Sequence, residues 1–426
     1  MINKSLKIGF IGTRFAGTDG VSLEANKWVE VLEGMGHIIF YLAGECDRPK
    51  EQSMIVPEAF YRNADVKEHH DQFFSRKIRK PEETHWIAEK KTFLSTRLKE
   101  FIDEFHIEML IVENALAIPL HIPLGIAITE IIAELGIPTI AHHHDMAWER
   151  KRFLVNCIGD YISMSFPPKL DSIQHVAINS QAQKQIALRC GVGAMLIPNV
   201  MNYLIPPPEK DEFSSDLRNT LGIGDDELFI LQPTRIIERK GIEHAIELVH
   251  RLDMKAHLVV SHASGDEGDA YAHRIRTYAE LLGVDLICAD KFFGTQRGYG
   301  ENGQKIYSIW DAYLHADLVT YPSEFEGFGN AFLEAIYFCK PIVVNNYSIY
   351  STDIKPKGFE VVEFDEYVTD ETIQKTRQVL MNKTMAKQMT EKNFSLAKRY
   401  FSYSVLEKEL RILISNAFGS NNLHTT

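Results

Sequence analysis

Two carboxylates, Glu326 and Glu334, stand eight positions apart and bracket a Gly327-Phe328-Gly329 turn in the run Pro322 to Ala335. The run follows a strand-like segment, Asp317 to Tyr321, and opens a helix-like one that ends near Cys339. Glycines let backbone N–H groups approach phosphate oxygens closely, and a helix N-terminus favours negative charge. Glu326 falls in the turn and Glu334 about one helical turn inside, so the two could grip hydroxyls at separated places on one long ligand. A nucleoside diphosphate sugar is such a ligand. The plain alternative is a solvated strand–turn–helix crossover.

A second cluster is cationic. Arg235 and Lys240 bracket the loop in Pro233-Thr234-Arg235-Ile236-Ile237-Glu238-Arg239-Lys240-Gly241. Arginine clamps phosphate bidentately and lysine adds a mobile point charge. Together they would neutralise a diphosphate leaving group, unless the loop is only a solvated basic turn. A third cluster is His142-His143-His144-Asp145. His142 and His144 share a strand face, but the sequence offers no well-spaced third ligand, so no metal site is expected. His144, last before the strand end and next to an acid, is the functional candidate; core or supporting roles fall to its neighbours. Beyond it, Arg150, Lys151 and Arg152 form a cationic run that is either a solvated helix face or a holder for an anionic acceptor.

Positioning these groups requires strand ends. Short apolar runs alternate with amphipathic stretches along the whole chain. Strands are expected at Leu6 to Gly12, His37 to Gly44, Met109 to Glu113, Pro138 to Ala141, His175 to Asn179 and Met195 to Pro198. Helices are expected at Val21 to Met35, Glu89 to Phe105, Ile126 to Leu135 and Gln181 to Cys190. The alternation pauses at the stiff Ile205-Pro206-Pro207-Pro208 stretch, then restarts with strands at Leu228 to Pro233, His257 to Ser261, Asp285 to Cys288, Asp317 to Tyr321 and Ile342 to Asn345. This is an α/β chain of two doubly wound, Rossmann-like domains, expected to face each other across a cleft. Ligands of such sheets bind beyond the carboxyl ends of the strands, where all these clusters fall, with Asp19 and Gly20 after the first strand. The divisions are residues 1–204, residues 205–400, and a C-terminal helix and polar tail, 401–426, whose helix would return to the first domain. Glu45 to Trp86, charged and poor in apolar periodicity, is expected to be irregular, a lid or a decorative insertion.

A formal net charge of −12 argues against nucleic acid or an anionic membrane as partner, so an anionic substrate needs a local basic pocket. The five cysteines are scattered without a Cys-x-x-Cys pair, which signals neither a zinc site nor a disulfide framework. The start has no signal-peptide pattern and no apolar run is long enough to span a bilayer, so a cytoplasmic protein is expected.

Four segments in order resemble the retaining family-4 glycosyltransferases of the GT-B fold: TDGVSLEANKWVEVLEGMGHIIFYLAG, IPTIAHHHDM, PTRIIERKGIEHAI and PSEFEGFGNAFLEAIYFCKP. The resemblance implies a nucleotide-sugar donor bound mostly by the C-terminal domain and a small-molecule acceptor bound mostly by the N-terminal one. It implies Glu334 on the ribose and Glu326, with the amides of Gly327, Phe328 and Gly329, on the transferred hexose. Arg235 and Lys240 would hold the diphosphate, and His144 would sit near the reacting carbon. Glu326, His144 and Asp145 are then the catalytic candidates, Gly20 joins the donor site, and Asp19 joins Arg150 to Arg152 on the acceptor side. No cofactor is implied, with Mg2+ at most a stimulant. Two departures stand out. The family's paired glycines read Asp19-Gly20 here, and its second glycine loop reads Ser261-His262-Ala263-Ser264-Gly265-Asp266. More narrowly, GTRFAGTDGVSLEANKW and AHHHDMAWERKRF are similar to enzymes that make mannosylglucosylglycerate-type solutes from a phosphoglycerate glycoside. The implied reaction moves a hexose from GDP-mannose or UDP-glucose to a small phosphorylated or carboxylated acceptor. A disaccharide phosphorylase of the same fold and a non-catalytic nucleotide-sugar-binding protein are the alternatives.

Overall fold

Lys7–Ile11 (β1) carries four buried residues in a run of five, the pattern of a strand covered on both faces. A computed structural model describes residues 4–17, 19–263 and 270–418. Ser264, Gly265 and Asp266 of the second glycine-loop position, and the tail Gly419 to Thr426, lie outside the described residues. The chain divides into two compact units, Met1–Asn199 with Tyr403–Thr426, and Val200–Ser402.

In the first unit Gly20–Gly34 (α1) follows β1, and its N-cap Asp19 accepts from the amides of Val21 and Ser22, both at 3.1 Å. Ile38–Ala43 (β2), Ser53–Ile55 (β3), Met109–Glu113 (β4), Thr139–His143 (β5), Ile173–Ala177 (β6) and Ala194–Leu196 (β7) complete a parallel sheet of seven strands. Its order is β3-β2-β1-β4-β5-β6-β7, so the direction of progression reverses between β1 and β4. Ala64–Phe73 (α2), Pro81–Phe105 (α3), Ile122–Leu135 (α4) and Ser180–Cys190 (α5) are its main helices. Leu94, Leu98 and Phe101 of α3 and Leu124, Ile128 and Ile131 of α4 pack with Ile11, Leu110 and Val112 into one core. Each such side chain contributes roughly 1.5–3 kcal/mol by burial.

Three expectations need correction here. Glu45 to Trp86 is not irregular: it adds edge strand β3 beside β2, forms α2, and supplies the first turn of α3. Helix α3 starts at Pro81, not near Glu89, because Pro81 occupies the first turn and the Glu83 carboxylate accepts from the Lys80 amide at 2.8 Å. Phe73 and Ile87 are then buried against Ile122, Ile126, Ile158 and Phe166, a satellite core that charged neighbours hide in the sequence. Strand β5 also runs on through His142 and His143.

The second unit repeats the plan with Leu228–Arg235 (β8), Ile242–Leu252 (α6), Ala256–His262 (β9), Ala270–Leu282 (α7), Asp285–Cys288 (β10), Ile309–His315 (α8), Leu318–Tyr321 (β11), Asn330–Tyr337 (α9), Ile342–Asn345 (β12) and Val362–Phe364 (β13). The six strands lie in the order β10-β9-β8-β11-β12-β13, with the reversal between β8 and β11. Ile242, Ile246 and Val249 of α6 pack on Ile230, Leu258, Leu318 and Val343. Three strands of two to four residues between Phe293 and Ser308, too short to carry a period in the sequence, form a small extra sheet. Asp370–Met381 (α10) and Lys383–Tyr400 (α11) close this unit. The last helix, Tyr403–Phe418 (α12), belongs to the first: Tyr403 donates to Glu30 of α1 at 2.8 Å, and Gln174 of β6 donates to the Leu413 carbonyl at 2.7 Å.

Candidate functional site

In an open α/β sheet a ligand crevice forms where the strand order reverses. The second unit places its charged cluster there. Arg235 is the exposed last residue of β8, and the loop after it forms one turn, Glu238–Lys240, before α6. Gly241 closes that turn at φ +57°, and a Cβ there would lie 2.5 Å from the Pro322 carbonyl oxygen, so the turn presses directly on the chain leaving β11. The Glu324 amide donates to the Arg239 carbonyl at 3.0 Å across the same gap.

These contacts bring Lys240 and Glu326 together. The Lys240 ammonium donates to Glu326 Oε1, and Arg239 donates to Glu326 Oε2 at 3.1 Å and to the Phe325 carbonyl at 3.0 Å. Burial would raise the Glu326 carboxyl, but Lys240 and Arg239 hold it below its ordinary value. Burial pulls the Lys240 ammonium down despite its partner. The ammonium also lies over the Tyr321 ring, 5.6 Å from its centre. Arg239 was not singled out from the sequence, although it stands beside Lys240; only the fold shows which of the two arginines reaches Glu326.

Gly329, at φ +136°, is the residue before α9, and a Cβ on it would meet the Tyr347 hydroxyl at 2.6 Å. That hydroxyl donates to the Phe328 carbonyl at 2.7 Å, which fixes the turn. The Phe328 side chain is buried and meets the Phe401 ring edge-on at 5.3 Å, so only its backbone is left for a ligand. Glu334, one turn into α9, accepts from the Tyr313 hydroxyl at 2.9 Å.

In the first unit the histidine cluster resolves into two pairs on opposite faces of β5. His143 points one way, its Nε2 2.9 Å from His175 Nδ1, and burial drives it well below its ordinary value and His175 to about 4. His142 and His144 point the other way onto Glu113, the last residue of β4. His142 Nδ1 lies 3.0 Å and His144 Nε2 2.9 Å from Glu113 Oε2. Burial alone would raise the Glu113 carboxyl, but the two imidazoles hold it at about 2. Burial would lower His144, but Glu113 overcomes it and raises the imidazole. Burial keeps His142 low, and its ring stacks on Trp28 at 4.1 Å. Glu113 is the third group that the sequence did not offer. The ligand atoms of Glu113, His142 and His144 lie within 4.8 Å of one another, close enough for a metal ion, although the same atoms already hydrogen-bond directly to each other.

Asn114, next to Glu113, sits at φ +58° and accepts through Oδ1 from the amides of His144 and Asp145 at 3.0 and 3.2 Å. This clasp sets the turn after β5. Asp145 itself pairs with Arg150 at 2.6 Å. Lys151 and Arg152 are exposed on a single turn, with the Arg152 guanidinium 4.7 Å from the Phe153 ring centre. A pocket opens at the β1–β4 reversal, lined among others by Arg14, Asp19, Tyr61, Glu113, Asn114 and His121. His144, Asp145 and Arg150 to Arg152 are outside that lining.

Residues 213–395 match the family described as glycosyl transferases group 1. The chain is 31% identical over 379 residues to the mannosylglucosylglycerate synthase of Petrotoga mobilis, covering 84% of this chain and 86% of that one. It belongs to the group 1 glycosyl transferases. The mannosylglucosylglycerate synthase of Thermotoga maritima is 28% identical over 436 residues, with 94% and 98% covered. Among solved structures, Anabaena Alr3699/HepE in complex with UDP and glucose covers 96% of this chain and 100% of its own at TM-score 0.65 and 13% identity. The sucrose-phosphate synthase of Thermosynechococcus elongatus covers 98% and 100% at TM-score 0.68 and 13% identity. Both likenesses are of fold, the GT-B arrangement of two Rossmann-like domains. This group 1 glycosyl transferase has no described helix long and apolar enough to cross a membrane.

Proposed function

We propose that this glycosyl transferase moves a hexose from a nucleoside diphosphate sugar to a small glycoside that carries a carboxylate, with retention of anomeric configuration. The observation behind this reading is Glu326, kept ionised between Lys240 and Arg239 at the strand reversal of the second unit, in front of the Gly327–Gly329 turn and α9. Such a cluster offers carboxylate acceptors for hexose hydroxyls beside cations for a diphosphate. Glu334, one turn along α9, suits the ribose.

Transfer breaks the bond between the sugar's anomeric carbon and the diphosphate oxygen, while an acceptor hydroxyl oxygen bonds to that carbon from the same face. The hydroxyl proton passes to the departing diphosphate. Negative charge grows on the leaving group, where Arg235 and Lys240 act without a metal being required. His144, raised by Glu113, would donate a hydrogen bond near the reacting carbon. The relatives' name speaks of a mannosyl group joined to glucosylglycerate, which favours a carboxylate over a phosphate on the acceptor and a mannose donor.

The test is incubation of the purified protein with GDP-mannose or UDP-glucose and glucosylglycerate in EDTA, with the product's anomeric configuration read by NMR. A glycerate carrying a disaccharide, with the donor's configuration at the new linkage, is expected. Inverted product, or no transfer to any carboxylated or phosphorylated glycoside, would refute the reading.

A further inference from the structure

Resting on that reading of the acceptor, we infer that Arg14 is the residue that recognises the acceptor's carboxylate, in the pocket at the β1–β4 reversal. The pocket has a volume of about 140 Å³, far more than one water needs. It has room for a small polar group such as the three-carbon acid end of an acceptor.

Its walls are mixed, with Val21, Ala115, Ile118 and Leu120 among the polar residues, whose charges are largely committed elsewhere. Asp19 Oδ1 accepts from two amides, and its Oδ2 accepts from the Ser22 hydroxyl at 2.7 Å. The Glu113 carboxylate is bound by His142 and His144. Burial lowers His121 to about 4, so it is neutral; it accepts from the Leu124 amide at 3.1 Å and donates to the Glu58 carbonyl at 2.7 Å. Asn114 spends its Oδ1 on two amides, which leaves its NH2 as a donor.

Arg14 is the cation of this pocket. Its guanidinium comes closest to carboxylates through Nε, 3.2 Å from Glu45 and 4.0 Å from Asp19, and Glu45 is half exposed. The Nη fork is seated over Gly17, where a Cβ would fall 2.7 Å from Nη2; at φ +74° that position also favours glycine. A planar fork of this kind matches a carboxylate bidentately. The N-terminus of α1, fifteen residues long, adds favourable potential from the same side. The Arg150 to Arg152 run is less suited, because Arg150 is already held by Asp145 at 2.6 Å.

The experiment compares kcat/KM for glucosylglycerate with that for glucosylglycerol, which has a hydroxymethyl group in place of the carboxylate. Wild type should favour the acid, and Arg14→Gln should reduce the ratio by roughly 10- to 100-fold, the size of a charged hydrogen-bonded pair. Donor affinity by calorimetry separates this from misfolding; if Arg14→Gln does not fold, Arg14→Lys should give an intermediate fall. A ratio unchanged in both variants overturns the role of Arg14 and leaves the acceptor reading standing. So does a fall seen only when Arg150 and Arg152 are replaced by Gln. Wild type that prefers glucosylglycerol, or uses neither, refutes the acceptor reading and Arg14 with it.

Discussion

Glu113→Gln tests the buried charge network of the first unit. The side chain is 3% exposed, and its carboxyl is held at about 2 against an ordinary 4.5. A shift of that size corresponds to roughly 3 kcal/mol of stability shared with the imidazoles, present while His144 is protonated and lost as pH falls from 4.5 towards 2. Glutamine keeps the shape and one hydrogen-bond acceptor, so the loss should be about 1–3 kcal/mol near pH 6. The pH dependence is diagnostic. In wild type His144 is raised by Glu113, so its contribution is full below 6.5 and fades as pH rises through the folded value. Without the carboxylate, burial is the largest influence left on His144 and lowers it against the pull of Glu24 and Asp145, so the variant loses stability as pH falls below 6.5. The two proteins should therefore diverge below pH 6.5 and converge towards pH 9. The neutral histidines His121, His143 and His175 are common to both and cancel. Urea unfolding followed by tryptophan fluorescence reports mainly on this unit, because Trp28, Trp86 and Trp148 lie in it and Trp310 lies in the other. Equal stability at pH 6, or the same offset at pH 6 and 9, would refute the account.

Glu334→Ala should weaken nucleotide-sugar binding by about 1–3 kcal/mol in calorimetry, through loss of charged hydrogen bonds to ribose hydroxyls; unchanged affinity removes Glu334 from the donor site. Arg235→Ala and Lys240→Ala should each depress turnover strongly while melting temperature changes little, since Arg239 still pairs with Glu326 at 3.1 Å. Near-normal turnover in either would end the diphosphate clamp. Gly241→Ala should cost about 1–3 kcal/mol in denaturant unfolding, because φ is +57° and the Pro322 carbonyl oxygen is 2.5 Å from the new Cβ. A neutral result there would mean that the turn has room to shift.

Much of the molecule is decided by local pattern. The apolar runs at β1, β4 and β12 and the amphipathic stretches of α1, α4 and α5 announce themselves by period, because each must bury a stripe or a face whatever its neighbours are. The spacing of Glu326 and Glu334 around Gly327 to Gly329 is equally local: the turn and α9 are contiguous in the chain, so their chemistry is legible there. The segment Glu45 to Trp86 was not, because α2 and the start of α3 hold only a few apolar residues each, and Phe73 and Ile87 acquire their meaning from Ile122 and Phe166. Strand order lies beyond the sequence as well. Glu113 meets His142 and His144 because β4 and β5 are neighbours in the sheet, in a register that pairs Glu113 with His142. Arg14 and Asn114 line one pocket because the order reverses between β1 and β4. Sequence alone settled the strands and helices of strong apolar period and the residue types at their ends. Tertiary structure decided which ends meet, since parallel strands distant in the chain are brought side by side only by the packing of the whole sheet.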